Sequence, residues 1–343
     1  VSENGQSVSH LDQYINGSNA LLIILGIFLS ILFAFTLGAL VQYISRLIFS
    51  FSYNKAKTWV TALWVSLAFS AMLFFLFIKG LKGASFMSEN LTNFIAQNKA
   101  LLFLSATAIL FVVFFSIKKI KDVNLFRGLV LFGTFSLAMA FAGNDLVNFI
   151  GVPVAGFESY VHWSAADIAP SAYAMDELNN GIPAQTYLLI TAGLIMIATL
   201  CFSKKAQSVT ETEVNLGRQD EGLERFTPNS FARGLVYYSH LAAKRISGLF
   251  PNSFVKKINT RFNPAEIDKK EEDAPAFDLI RAAINLTMAS VLIAFATSLK
   301  LPLSTTYVSF MVAMGTSLAD KAWGRESAVY RISGVLSVVG GWF

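Results

Sequence analysis

The chain has 343 residues, 54% of them apolar and only 14% charged, with 31 Phe and a net charge of +5. So apolar a composition excludes an ordinary soluble domain, and Lys and Arg set at the ends of apolar runs exclude the clustered basic face that nucleic-acid binding needs. The single cysteine, Cys201, excludes a disulfide framework and a multi-cysteine metal site within the chain, and reads as a small packing residue.

Residues 1–19 are polar and lack the basic start and cleavage pattern of a signal peptide. Apolar runs then follow at 20–48, 58–79, 100–117, 128–150, 184–202, 278–298, 303–320 and 328–343. Runs of roughly 17–25 apolar residues can span a hydrocarbon core. The expectation is an all-α, polytopic transmembrane bundle in a lipid bilayer, with broken or re-entrant helices at its polar islands. Its regions are a polar non-cytoplasmic segment (1–19), linking transmembrane helices (20–120), a transmembrane region with an Asn-Asp island (125–202), a cytoplasmic loop with an interfacial helix (203–277) and a last transmembrane region (278–343).

Charge placement sets the expected topology. No Lys or Arg occurs from Gly128 to Ser203, a stretch that includes the polar segment 151–183 with Glu158, Asp167, Asp176 and Glu177. Lys118, Lys119, Lys121 and Arg127 lie before it, and Lys204 and Lys205 after it. By the positive-inside rule 151–183 is outside and both flanks are inside. Alternation then puts 49–57 and Lys321 inside, and 80–99 and the start of the chain outside. Within 203–277, the stretch from Phe231 to Phe250 interleaves apolar and basic residues. Leu235, Tyr238, Leu241 and Ala242 can share a helical face, with Arg233, Lys244 and Arg245 near the headgroups, as in a helix lying in the interface. His10, His162 and His240 are scattered and read as solvated or structural; His162 beside Trp163 suits an interfacial anchor.

Two polar islands interrupt the apolar runs. The first is Ala142-Gly143-Asn144-Asp145-Leu146-Val147-Asn148. A carboxylate in such a run costs roughly 2.5–3.5 kcal/mol at mid-bilayer, and an ion or substrate path is the default reading. At helical spacing Asn144 and Asn148 share a face, and Asp145 and Asn148 are three apart, so their oxygens can converge on a hard cation. Gly143, Gly151 and Pro153 invite a break that would free backbone groups for the same purpose. The plainer alternative is a hydrogen-bonded cluster that only packs helices. The second island is Pro302-Leu303-Ser304-Thr305-Thr306. Proline suits the first turn of a helix, and three hydroxyls at a helix N-terminus make an anion-seeking site. Simple capping by Ser304 is the plainer alternative.

Together the islands resemble the inorganic phosphate transporter (PiT) family, whose repeats carry signatures of the type G-A-N-D-x-x-N-x-x-G and P-x-S-T-T. Here these stand as Ala142 to Gly151 and Pro302 to Thr306, in the family's order, with the large polar loop between them. The resemblance covers residues 125–343; 20–120 match only as apolar spans. It departs at Ala142-Gly143, which reverses the family's Gly-Ala, and at Tyr307, where a His is frequent. That family is built from two inverted repeats, each with both signatures. One pair here implies half of an inverted-repeat transporter, the second repeat of a longer chain.

The resemblance implies a multi-pass protein of the cell (inner) membrane, a secondary transporter moving inorganic phosphate by symport with Na+ or H+. It implies cation binding by Asn144, Asp145 and Asn148, and phosphate binding by Asp145, Ser304, Thr305 and Thr306. No cofactor and no metal beyond the coupling cation is expected; a homo-oligomer is compatible. Sulfate or another oxyanion on the same scaffold is the near alternative. A non-transporting receptor or scaffold is the distant one. An enzyme is not expected, because no Ser-His motif or metal cluster is recognisable.

Overall fold

The computed structural model describes residues 17–51, 56–80, 88–121, 123–166, 168–169, 172–173, 185–205, 230–248, 250–262, 278–299, 301, 303–320, 332–334 and 336. Every regular element among them is a helix. In chain order these are α1 (Gly17–Phe49), α2 (Thr58–Leu73), continued by a π-helical stretch over Phe74–Gly80, α3 (Glu89–Gln97), α4 (Lys99–Lys121) and α5 (Leu125–Ala166). There follow α6 (Thr186–Phe202), α7 (Ser230–Ser247), α8 (Asn252–Arg261), α9 (Leu279–Ser298) and α10 (Thr305–Ala319). Five of them, α1, α2 with its continuation, α4, α5 and α9, are long and apolar enough to cross a membrane.

The helices differ from the expected spans in two ways, and part of the expectation falls outside the described residues. First, α5 is continuous for 42 residues and carries Pro153 in its interior. The break expected at Gly143, Gly151 and Pro153 is absent, and 151–166, expected as part of an outer polar segment, is helical. A proline removes one intrahelical bond, and the bonds of the turns on either side outweigh that loss here. Second, α6 has 17 residues and α10 only 15. A 15-residue helix rises about 22 Å, short of the roughly 30 Å hydrocarbon core. The run at 328–343 lies almost wholly outside the described residues, as do Pro302 and the charged ends of 203–277.

The short helix α10 forms the centre. Val308, Met311, Val312, Ala313 and Met314 are all buried, and the first three pack with Ile31 and Ala34 of α1, Leu137 and Ala140 of α5 and Ala289 and Ile293 of α9. Hydrocarbon tails are as apolar as leucine, so close packing of small residues holds membrane helices together. Two glycines do this between α1 and α10. A Cβ at Gly38 would stand 2.9 Å from the carbonyl oxygen of Val312, and one at Gly315 would overlap the carbonyl of Phe35. Gly133 of α5 gives α9 the same freedom, since a Cβ there would lie 2.8 Å from Leu286 Cβ.

A second core joins α2, α5 and α9 through Val65, Met72, Phe126, Leu129, Ile280 and Ile284. Ring contacts fix the directions. Phe49 at the end of α1 meets Phe126 at the start of α5 edge-on at 5.3 Å, and Phe69 and Phe74 of α2 meet Phe114 and Phe103 of α4, an antiparallel pairing. The helix ends bearing Arg46, Lys57, Lys118 to Lys121, Arg127 and Asp278 therefore gather at one end of the bundle, called the basic end below. No residue of α4 is buried, so its sides away from α2 are left for lipid.

Candidate functional site

The two polar islands meet. Asp145 lies on α5, about 30 Å of helix from Leu125, and Thr305 opens α10, about 22 Å from its basic end. The Thr305 hydroxyl donates to both Asp145 oxygens, at 3.1 Å to Oδ1 and 3.0 Å to Oδ2. Asn144 Nδ2 donates to Asp145 Oδ1 at 3.0 Å, and Asn144 Oδ1 accepts from the Thr297 hydroxyl of α9 at 3.3 Å. Three helices thus supply one cluster. Thr305 is buried, while Asn144 and Asp145 are half-buried and so remain approachable.

Its electrostatics are one-sided. Among the described residues every ion pair lies elsewhere, and the Asp145 carboxylate has only neutral hydrogen-bond donors. Neutral donors offset desolvation only in part; a charge in such a place is matched by an opposite charge or carries an unmet cost. One carboxylate with amide and hydroxyl oxygens is a hard-donor set, suited to an alkali cation or a proton rather than to a soft metal.

The hydroxyls of the second island divide three ways. Thr305 is taken by Asp145. Ser304 caps α10, its Oγ accepting from the Tyr307 N–H at a long 3.5 Å. Thr306 is exposed. Val308 N–H is bonded to the Ser304 carbonyl at 3.0 Å, so the N–H groups of Thr305 and Thr306 precede the first intrahelical bond. Those groups and the Thr306 hydroxyl are the donors that stand at the positive end of the α10 dipole. Asn148 lies one helical turn beyond Asn144, and its side chain is outside the described residues.

A second polar centre was not anticipated. At the basic end the Arg46 guanidinium grips Asp320 with two parallel bonds, Nε to Oδ1 at 2.8 Å and Nη2 to Oδ2 at 2.6 Å. It also reaches Asp278 Oδ1 at 3.1 Å and the Ser50 carbonyl at 2.8 Å, and stacks 3.8 Å above the Phe51 ring. Gln42 Nε2 donates to Asp320 Oδ1 at 2.7 Å, and Arg281 Nη1 lies 3.8 Å from Asp320 Oδ2. Asp278 in turn caps α9 by accepting from Arg281 N–H at 2.9 Å. Two arginines and two aspartates balance in charge, and Arg46, Arg281 and Asp320 are fully or almost fully buried. The network ties the ends of α1, α9 and α10 together. Ser50 reverses the chain after α1 with a φ of 52°, left-handed backbone for a non-glycine residue, and this aims its carbonyl at Arg46.

A third group stands apart. Glu158, expected in the outer polar segment 151–183, is buried on α5, and its Oε1 has no hydrogen-bond partner among the described residues. Set against protein-family models, curated proteins and solved structures, the chain matches none of them.

Proposed function

We propose that the protein is a secondary transporter that moves inorganic phosphate together with Na+ or H+ across the cell (inner) membrane. The reading is carried by one observation: the hydrogen bond between Asp145 and Thr305, which joins the cation-seeking island to the anion-seeking one. The inverted-repeat architecture of the inorganic phosphate transporter family goes with this reading and is part of the proposal.

The chemistry follows from the placement. A cation on the Asp145 carboxylate and the Asn144 amide oxygen supplies the charge that the neutral donors lack. Phosphate at the start of α10 is drawn by the helix dipole, the first N–H groups and the Thr306 hydroxyl. Beside a bare carboxylate it is repelled. Beside a neutralised one it is not, so each ligand favours the other, which is the energetic content of coupling. In this scheme the Arg46–Asp320 network keeps the basic end shut while the Asp145 cluster is loaded from the other end.

The test is uptake of labelled phosphate by the full chain in sealed liposomes, under a Na+ gradient, a proton gradient or neither. Gradient-dependent uptake, competed by arsenate more than by sulfate, is expected. A sulfate preference would move the substrate to another oxyanion. Folded protein that transports neither would leave the scaffold reading.

A further inference from the structure

The helix pair α7 and α8 carries six basic residues, Arg233, Lys244, Arg245, Lys256, Lys257 and Arg261, and all six are exposed. No Asp or Glu occurs between Ser230 and Phe262, although acids are frequent in the sequence on either side. A solvated surface helix ordinarily mixes both signs; one sign over 33 residues is a field directed at something negative.

Helix α8 is fixed in place. On α8, Val255, Ile258 and Phe262 fall on one face; the first two are half-buried and Phe262 is buried. The Phe262 ring stacks on Tyr43 of α1 at 5.1 Å, one turn from Arg46. This docks α8 at the basic end, beside a transmembrane helix, at the level where headgroups begin. Lys256, Lys257 and Arg261 lie on the face away from Phe262. On α7 the exposed arc alternates basic and amphipathic residues, with Arg233, Lys244 and Arg245 among Tyr237, Tyr238 and Leu241. Tyrosine is at home where an apolar layer meets a wet one, and Lys and Arg beside it reach lipid phosphates.

We infer that α7 and α8 form a docking surface for anionic phospholipid, gripping the phosphodiester headgroups of the leaflet at the basic end. The inference is independent of what the Asp145 cluster binds. Charge complementarity selects anionic over zwitterionic lipid, because a zwitterionic headgroup offers phosphate with no net charge for the basic field to hold.

A fluorophore on Cys at position 253 (S253C, with C201S) reads the contact in the full chain, since Ser253 is exposed on α8. The chain is placed in phosphatidylcholine vesicles holding rising fractions of either brominated phosphatidylglycerol or brominated phosphatidylcholine. Half-quenching is expected at about tenfold lower fraction of the anionic lipid, a preference that shrinks in high salt. The triple variant K256Q/K257Q/R261Q should lose most of this preference with unchanged melting temperature, and K256R/K257R should keep it. Equal quenching by the two lipids, no quenching by either, or a preference indifferent to the triple variant would each overturn the inference. So would abolition of the preference by millimolar inorganic phosphate, which would make the surface a site for the free ion.

Discussion

Thr305 holds both oxygens of Asp145 with a single hydroxyl proton, across 160 residues of sequence. That proton cannot serve an anion while it is shared by the carboxylate. Under the proposed function Thr305 would therefore act on phosphate through Asp145, and Thr306 directly. The two adjacent threonines should separate in kinetics.

Asp145→Asn keeps the shape of the side chain and one acceptor oxygen for Thr305 and Asn144, turns the other oxygen into an NH2 donor, and removes the charge. Cation-driven phosphate uptake should fall by well over tenfold, equivalent to more than about 1.4 kcal/mol, with near-normal expression and melting temperature. Uptake within about twofold of wild type would remove Asp145 from the cation path.

Thr305→Val leaves the carboxylate with Asn144 as its remaining hydrogen-bond donor among the described residues. Its first effect should be on the apparent cation affinity. Thr306→Val should raise the phosphate KM about 5–30-fold, the loss of one hydrogen bond of about 1–2 kcal/mol, with the cation dependence unchanged. Ser304→Ala should lower stability by about 1 kcal/mol through loss of the cap, with both affinities near wild type. Uptake measured as a two-way titration of cation and phosphate distinguishes the three.

The islands were legible because a carboxylate inside an apolar run stands out from a single sequence. That they touch was not legible, since Asp145 and Thr305 sit on helices far apart in the chain. The basic-end network was hidden for a different reason. Arg46, Asp278 and Asp320 each stand at the end of an apolar run, where a charge reads as an ordinary boundary with water. Only packing, through Gly38 and Gly315 against the facing backbones, draws α1 and α10 close enough for the guanidinium to reach Asp320. The continuity of α5 was misjudged because Gly143, Gly151 and Pro153 carry local penalties, and the sequence does not display the packing of Leu137, Ala140 and Val154 that helps to sustain the helix. The burial of Glu158 was not legible for the same reason: it is set by tertiary neighbours, not by its polar sequence context.

The network predicts a sharp asymmetry between single and paired substitutions. Arg46→Met alone leaves two buried aspartates with Arg281 as the remaining counter-charge of the network and should cost about 3–5 kcal/mol. Arg46→Met with Asp320→Leu removes charges in balance and should recover much of that loss. Thermal unfolding of the purified variants in one detergent reads the difference. A double variant no more stable than the single would show that the ends of α1 and α10 do not depend on this pair.

Gly315→Ala tests the closeness of α1 and α10. The added methyl overlaps the Phe35 carbonyl, a backbone atom that cannot rotate away, so the helices must separate. Overpacking of this kind costs about 1–3 kcal/mol. Gly143→Ala is the matched control, because a Cβ there meets nothing within 4 Å. Replacing a helical glycine by alanine without a clash should leave stability equal or raised by up to about 1 kcal/mol. Equal melting temperatures for the two variants would mean that α1 and α10 part more readily than their packing indicates.

The last prediction concerns which end faces which compartment. Packing places Arg46, Lys57, Lys121, Arg127 and Asp278 at one end, and α8 is docked there through Tyr43 and Phe262. Ser164, exposed in the last turn of α5, lies at the opposite end of a helix that starts at the basic one. Lysine and arginine are retained on the cytoplasmic side of membranes, so the basic end should face the cytoplasm. Single cysteines at 164 and 253, in a chain with Cys201→Ser, can be probed in sealed cells with a thiol reagent that does not cross membranes. Position 164 should react at once, and position 253 only after the cells are permeabilised. The reverse pattern would invert the protein and put the basic end of the bundle outside. Reaction at both positions in sealed cells would place α8 on the same side as the end of α5, which the ring stack between Phe262 and Tyr43 does not permit.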